Sequence, residues 1–523
     1  MPRALWWLKK DFRLHDNPAL TAALAGGADV LPVFVFEPAV LAAEETSAFH
    51  VAAWVEALAD LRQRVDVLVL TGPSVEALGR LHAAAPFEAV HSHEETGTEV
   101  TFSRDRAVAD WCAATGVAWH EHRQTGVFRG GVDRDRRDAL WRAFTDAGPL
   151  AAPAPTDLAR VRVPAMARAL EAPGVPTPEA FGHALTAAQR QHRQVVSETA
   201  AAETLRSFLV ERGKGYSGGI SSPNEAFVRG SRLSVHLAWG TTTGRAVYAA
   251  TAARLAELQG VAHPDAAQWR KSLTAFKSRL HWRDHFVQRL ETEPQMEFAP
   301  LNAAYADLPT PGDDRFEAWF TGHTGWPLVD ACMRCAAQTG FLNFRMRALV
   351  TSVAVHSLRM DWRTTLYPTA RLWADYEPGI HVAQTQMQAG VVGINQLRVY
   401  SPDKQLADQD PDGAFVRRWV PELAGASAAA IFAHPETPLP GYPLPVVDWR
   451  AESAAMRADY YAIKERPETR ALADAVYLRH GSRLAASERT WKSNAPRKPA
   501  APKKAPAPKK TKTPAPLPLF PDA

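Results

Sequence analysis

The residues able to do chemistry gather in a few short runs of this 523-residue chain. In SRLHWRDHF, Ser278–Phe286, the side chains Arg279, Trp282, Arg283 and Phe286 fall at i, i+3, i+4 and i+7 and share one helical face. An aromatic ring flanked by two guanidiniums suits stacking on a planar ring while contacting phosphate. In GSRLS, Gly230–Ser234, the chain enters an apolar helical run. Backbone N–H groups at a positive helix end, together with Ser231, Arg232 and Ser234, would cradle an anion. His281 and His285 stand one turn apart, as do Cys332 and Cys335. The histidines lack the H-E-x-x-H pattern, and three cysteines cannot build a four-thiolate cluster, so no metal is expected. A last run, Gly393–Leu423, joins a polar turn (Ser401–Gln405), an acidic loop (Asp408, Asp410, Asp412) and a basic-aromatic patch, Arg417-Arg418-Trp419.

The elements that must position these residues change character along the chain. Up to about residue 125, short apolar runs (Ala4–Leu8, Val30–Phe36, Val65–Leu70, Glu88–His91) alternate with Ala-rich helical stretches such as Ala52–Arg64 and Arg104–Ala114. That pattern predicts a doubly wound parallel α/β sheet with helices on both faces. No G-x-G-x-x-G or P-loop accompanies it. Residues 126–200 are Pro/Ala/Arg-rich with weak periodicity and read as a connector. From 201 to 485 the pattern is almost wholly helical. Residues 490–523 are Pro/Ala/Lys repeats that cannot bury a core and are expected to be disordered.

Composition narrows the class. The chain is 46% hydrophobic and 22% charged, with a net charge of +4. Eight Lys/Arg and one Asp in residues 490–523 leave 52 basic against 55 acidic residues in the body. Affinity of the body for nucleic acid must therefore come from a local patch. Three cysteines argue against a disulfide framework. With no long apolar run and no signal-peptide pattern, a cytoplasmic protein with no membrane span is expected.

Set in order, these runs resemble the cryptochrome/photolyase family outside its iron–sulfur branch. The match extends through WWLKKDFRLHDNPAL (Trp6–Leu20), with Asp11, Arg13, Asp16, Asn17 and Pro18. Further matches lie in Thr324–Arg363 (Pro327, Asp330, Met333, Arg334, Gly340, Arg347, Asp361-Trp362-Arg363) and in Arg371–Gly390. The resemblance implies an N-terminal α/β domain over 1–125 that leaves room for an antenna chromophore, methenyltetrahydrofolate or a deazaflavin. After the connector it implies an all-α FAD-binding domain over 201–485. Tyr216, Gly230, Ser231, Arg232, Leu233, Ser234, Arg283, Arg347, Trp373, Ala374 and Asp375 would hold FAD. Trp362, Trp282, Trp373 and Arg347 would serve electron transfer. Arg279, Trp282, Arg283, Phe286, Phe344, Gln405, Arg417 and Arg418 would meet UV-damaged DNA.

The implied activity is repair of pyrimidine dimers by an electron from light-excited reduced flavin, delivered to a lesion flipped out of the duplex. Repair enzymes of the family usually carry glutamate where this chain has Arg279, often asparagine where it has Phe344, and a redox tryptophan where it has Ala383. Threonine is common at the position of Gly230. These departures give weight to a second reading, a blue-light receptor without repair. A flavin-bearing single-strand nucleic-acid binder is a third. Pro516–Phe520 (PLPLF) resembles a short motif that docks bacterial repair proteins on the sliding clamp. A monomer is expected.

Overall fold

The computed structural model describes residues 3–171, 176–259 and 264–481. Its N-terminal part is a five-stranded parallel sheet in the order β3-β2-β1-β4-β5. The strands are β1 (Arg3–Leu8), β2 (Asp29–Phe36), β3 (Leu68–Thr71), β4 (Ala89–His93) and β5 (Ala118–His122). Side chains alternate across the sheet as the strand period requires. Trp6, Phe34 and Val69 face helices α1 (Pro18–Ala25) and α2 (Ala48–Arg62). Leu5, Val33 and Leu68 face α3 (Ser74–Ala84) and α4 (Glu99–Thr115). The doubly wound expectation holds, and four of its strands were read from apolar runs. The fifth escaped because AWHEH is a polar edge strand with exposed residues.

The run Trp6–Leu20 works as a latch between the sheet and the helical part. Asn17 caps α1, its side chain accepting from the Leu20 N–H at 2.9 Å, with Pro18 in the first turn. Arg13 is fully buried and donates to the Gly240 carbonyl at 2.9 Å. Asp16 accepts from Thr243 and pairs with Arg245. Gly240 has φ of +67°, and a β-carbon there would lie 1.8 Å from the Lys10 carbonyl oxygen, so only glycine fits this crossing.

The described residues between 126 and 171 hold more structure than their weak periodicity predicts. Helix α5 (Arg134–Asp146) forms there with Asp133 as its cap, and Trp141 is buried. Trp141 donates to Asp284 at 2.9 Å, and Phe128 exchanges two hydrogen bonds with Gln288, so this segment is fastened to the longest helix. Its hydrophobic signal is diluted by arginines whose stems cover apolar surface.

The helical part is built around six elements: α6 (Ser234–Ala238), α7 (Ala266–Thr292), α8 (Pro327–Thr339), α9 (Phe344–Ser352), α10 (Trp362–Leu372) and α11 (Pro378–Ala389). The core beneath α1 and α2 continues without a break into α8 and α9 through Val329, Met333, Leu349 and Val350. Then follow α12 (Pro402–Gln409) and α13 (Ala414–Trp419). The acidic loop between them is structural. Asp410 is buried, and its carboxylate accepts from the Phe415 and Val416 N–H groups at 2.9 and 3.0 Å. Among the described residues, no helix is long and apolar enough to cross a membrane.

Candidate flavin site

One large cavity opens in the helical part. Its walls come from α7, α9, α11, the entry to α6, and the loop Trp373–Glu377 joining α10 to α11. The spacing that predicted a common face on α7 is borne out, because Arg279, Trp282, Arg283 and Phe286 all line it. On α9, Phe344, Arg347 and Thr351 recur at helical spacing and do the same.

An ion pair stands in the wall. Arg347 Nη2 lies 2.7 Å from Asp375 Oδ1, its Nε donates to the Leu342 carbonyl, and its guanidinium sits 4.3 Å from the Trp373 ring centroid. Burial pushes the Asp375 carboxyl up, yet Arg347, the Ser234 hydroxyl and Arg232 outweigh it and hold it below its ordinary value. Asp375 is thus an anion whose remaining acceptor capacity faces the cavity. The other acid on the wall, Glu377, is paired with Arg283 at 2.6 Å.

Arg232 has an uncommon environment. It adopts φ of +60° and lies 3.7 Å from the Phe341 ring and 5.3 Å from Phe227. Burial lowers its pKa to about 10, which leaves it charged at neutral pH. Its Nη1 is buried without a protein partner. A charged donor placed this way on a cavity wall calls for an anion. Gly230 precedes it, and a β-carbon there would meet the Ala226 carbonyl oxygen at 2.4 Å, so threonine does not fit this backbone. Tyr216 lies nearby beside Arg279, and burial pushes its hydroxyl up to about 12.

Two wall residues passed over in the sequence add to this. Gln384 has both amide atoms buried and unpartnered, and Asn343 donates twice to the backbone of Ile220 and Ser221 while its Oδ1 has no partner. Among the polar residues of α11, which include His381, Thr385, Gln386 and Gln388, nothing local singles out Gln384. An apolar slot edged by unpaired amide groups and an unpaired guanidinium suits a heteroaromatic ring system carrying a pyrophosphate. FAD is such a group, and the residues present fit it.

Other expected site residues lie elsewhere. Leu233 is fully buried in the core beneath the cavity, since the turn that presents Ser231 and Ser234 directs it inward. Ala374 contributes its carbonyl to Trp239, not a side chain to the wall. Trp362 packs with Ala383 and Phe286 in a separate core. Gln405 is buried on α12 away from the cavity, and Arg417 turns back to the Asp412 carbonyl. Arg418 is exposed, 5.9 Å from Phe227. Among the described residues no cluster could hold a metal ion, and all three cysteines are free and buried.

A second, smaller pocket lies at the C-terminal edge of the sheet, between Trp7, Lys10, Glu37, Arg104 and Trp239. Tyr376 lines both pockets. Parallel doubly wound sheets bind ligands at this edge.

Residues 4–147 match the family model described as DNA photolyase, and residues 276–462 match the FAD binding domain of DNA photolyase. The chain is 28% identical over 502 residues to a cryptochrome DASH of Gloeobacter violaceus, covering 88% of this chain and 96% of that one. It is 29% identical over 499 residues to a deoxyribodipyrimidine photo-lyase of Halobacterium salinarum, covering 88% and 98%. In fold it is similar to a class III photolyase from Agrobacterium tumefaciens, with a TM-score of 0.74 at 24% identity over 89% of this chain and 98% of that one. It is also similar to a photolyase from Sulfolobus tokodaii described with two FAD molecules, with a TM-score of 0.69 at 22% identity over 88% and 100%. Both parts of the chain are thereby placed, and the chain belongs to the FAD-binding cryptochrome/photolyase family.

Proposed function

We propose that the protein is a blue-light-driven DNA photolyase that repairs pyrimidine dimers. The observation that carries this reading is that half-buried Trp282, Phe344 and Arg279 line the large cavity together with the Arg347–Asp375 pair. Those residues offer flat apolar surfaces to two cross-linked bases flipped out of one strand and a cation to their phosphate.

In this reading Arg232, Ser231 and Ser234 hold the pyrophosphate, and Tyr216 closes that end. Gln384 and Asn343 supply amide groups to the ring edges. Asp375, kept ionised by Arg347, accepts a hydrogen bond at the redox edge and fixes the orientation of the ring. FAD, when bound, reduced and excited, supplies the electron that splits the dimer. Trp282 and Phe344 exclude water around the lesion, while Arg279 positions the DNA backbone and exposed Arg418, outside the cavity, adds a cation for it. The second pocket would hold an antenna chromophore.

A receptor without repair is favoured by one feature. Both carboxylates on the cavity wall are ion-paired with arginines, so neither is a ready proton donor to a lesion. Blue light applied to the flavin-loaded protein with oligonucleotides carrying either cyclobutane or 6-4 lesions separates the readings. Restored thymines support repair, flavin reduction alone supports the receptor, and neither change supports a single-strand binder.

The segments 1–125, 126–200 and 201–485 are taken as antenna domain, connector and flavin domain of a cytoplasmic monomer. The basic tail and its Pro516–Phe520 motif lie outside the described residues. They are assigned to clamp docking, which fails if deletion of 515–523 leaves clamp binding unchanged.

A further inference from the structure

Beside the cavity face of α7, His281, His285 and Arg289 follow one another at i, i+4 and i+8 and form a stripe of their own. None of the three lines the large cavity. Helix α5 packs against this stripe. Arg137 Nη1 lies 3.5 Å from His281 Nε2, and Trp141 meets the His281 ring edge-on at 4.7 Å. One turn along α7, Arg289 Nη2 lies 3.3 Å from His285 Nε2. Arg134 precedes Arg137 by one turn of α5. Two helices from distant segments thus bring three guanidiniums to one crossing.

The charges at this crossing do not balance. Asp138 Oδ1 lies 3.2 Å from His281 Nε2, 3.5 Å from Arg137 Nη1 and 3.6 Å from Arg134 Nη1, so one carboxylate is shared among several donors. Asp284 also faces Arg137, but it already pairs with Arg283 and accepts from Trp141 and the Gly126 N–H. Arg137 and Arg289 are only 1% and 5% exposed. Nε and Nη1 of Arg134, Nε and Nη2 of Arg137, and Nε and Nη1 of Arg289 are all buried without a hydrogen-bond partner. Burial, and then the neighbouring Arg134 and Arg137, lower Arg289 to about 10, so it stays charged at neutral pH. His285 is held neutral by burial and by the same three cations. Buried donors of one sign, left unpaired in this number, call for an anion.

We propose that Arg134, Arg137 and Arg289 bind a small phosphate-bearing anion between α5 and α7, at a site separate from the flavin cradle. A guanidinium presents a planar fork that matches two oxygens of a phosphate, and a dianion offsets the excess positive charge. Arg134, Arg137 and Arg289 line neither the large cavity nor the second pocket. Their burial keeps a duplex backbone out, while half-exposed Asp138 and the edge of Arg134 leave an approach for a small ion. Free phosphate and the phosphoryl end of a small metabolite carry the same group. Bound there, it would clamp α5 onto α7. The His285 ring, 5.3 Å from Trp282, would carry that constraint to the cavity wall.

The test uses the full FAD-loaded chain, so that the flavin cradle is filled. Isothermal titration calorimetry and thermal melting are run with inorganic phosphate, with glycerol phosphate, and with sodium chloride of equal ionic strength. The parent should bind inorganic phosphate at a single site and melt higher with it than with chloride. Arg289→Leu should weaken that binding by about tenfold or more. Without phosphate, Arg289→Leu should melt no lower than the parent, because it removes a buried charge that has no partner. Should Arg289→Leu not retain flavin, Arg137→Lys decides, since it keeps the charge and loses the fork. Glycerol phosphate that binds with the same dependence on Arg289 extends the ligand to phosphomonoesters, and its failure to bind confines the site to the free anion. Phosphate that acts only as chloride does, or that binds Arg289→Leu and Arg137→Lys as it binds the parent, overturns the proposal.

Discussion

Arg347 and Asp375, 28 positions apart, meet at 2.7 Å in the wall of the large cavity, and the same guanidinium covers the Trp373 ring. One contact thus fixes an anion, a cation and an indole around the place where the flavin ring is assigned. Removing either partner strands the other's charge in a partly buried site.

Arg347→Leu should therefore destabilise the protein more than Asp375→Asn does. The double variant should be less destabilised than the sum of the two. Chemical denaturation of all four forms measures the coupling, expected at about 1–3 kcal/mol because Arg347 is half-buried. Additive losses would show that the pair carries no interaction of its own.

Arg232 is assigned to the pyrophosphate, not to the ring. Arg232→Gln should weaken FAD binding by about tenfold or more, equivalent to about 1.4 kcal/mol, and leave riboflavin binding unchanged. Equal losses for both ligands in fluorescence titrations would assign Arg232 to packing alone.

Acid should destabilise the fold through histidines as well as carboxylates. Burial lowers His50, His236, His356 and His381 from 6.5 to about 4 in the folded state. Between those values the unfolded chain binds protons that the folded chain refuses, so stability is complete above pH 6.5 and falls as the pH drops toward 4. Each group contributes up to about 1.4 kcal/mol per pH unit. His356 Nε2 lies 2.7 Å from the Gln388 carbonyl, and His356 is not one of the residues lining the large cavity. Melting of His356→Gln between pH 7 and 5 should show a shallower slope, and an unchanged slope would exclude His356 from this linkage.

At the mouth, Trp282→Ala should cost about 1–3 kcal/mol of affinity for lesion-bearing DNA by removing a stacking surface. Arg279→Gln should reduce the salt dependence of binding by about one ion. Binding isotherms over a salt series separate these effects, and identical slopes for parent and Arg279→Gln would remove Arg279 from the DNA interface.

Legibility in the sequence followed the range of each physical cause. The α7 face was readable because 279, 282, 283 and 286 obey helical spacing within one segment. Asn17 and Pro18 were readable because capping is local. Arg347 with Asp375 depended on family resemblance, since no local pattern links α9 to the loop before α11. The second-pocket rings His50, Trp54 and Trp239 escaped because tertiary packing alone brings α2 beside the end of α6. Leu233 was misplaced by treating GSRLS as one surface, although a positive φ at Arg232 rotates its neighbours to opposite sides. The acidic loop read as part of a functional signature because Asp410, a buried cap, looks in sequence like any exposed acid.

In the proposed function, light absorbed by the flavin-loaded protein drives repair of DNA. The most direct measurement is recovery of thymine absorbance from an oligonucleotide carrying one cyclobutane dimer, mixed with pre-reduced holoprotein and exposed to blue light. Repair of more dimers than there are protein molecules, with none in the dark, is the expected result. No recovery while the flavin stays reduced and the DNA stays bound would contradict it.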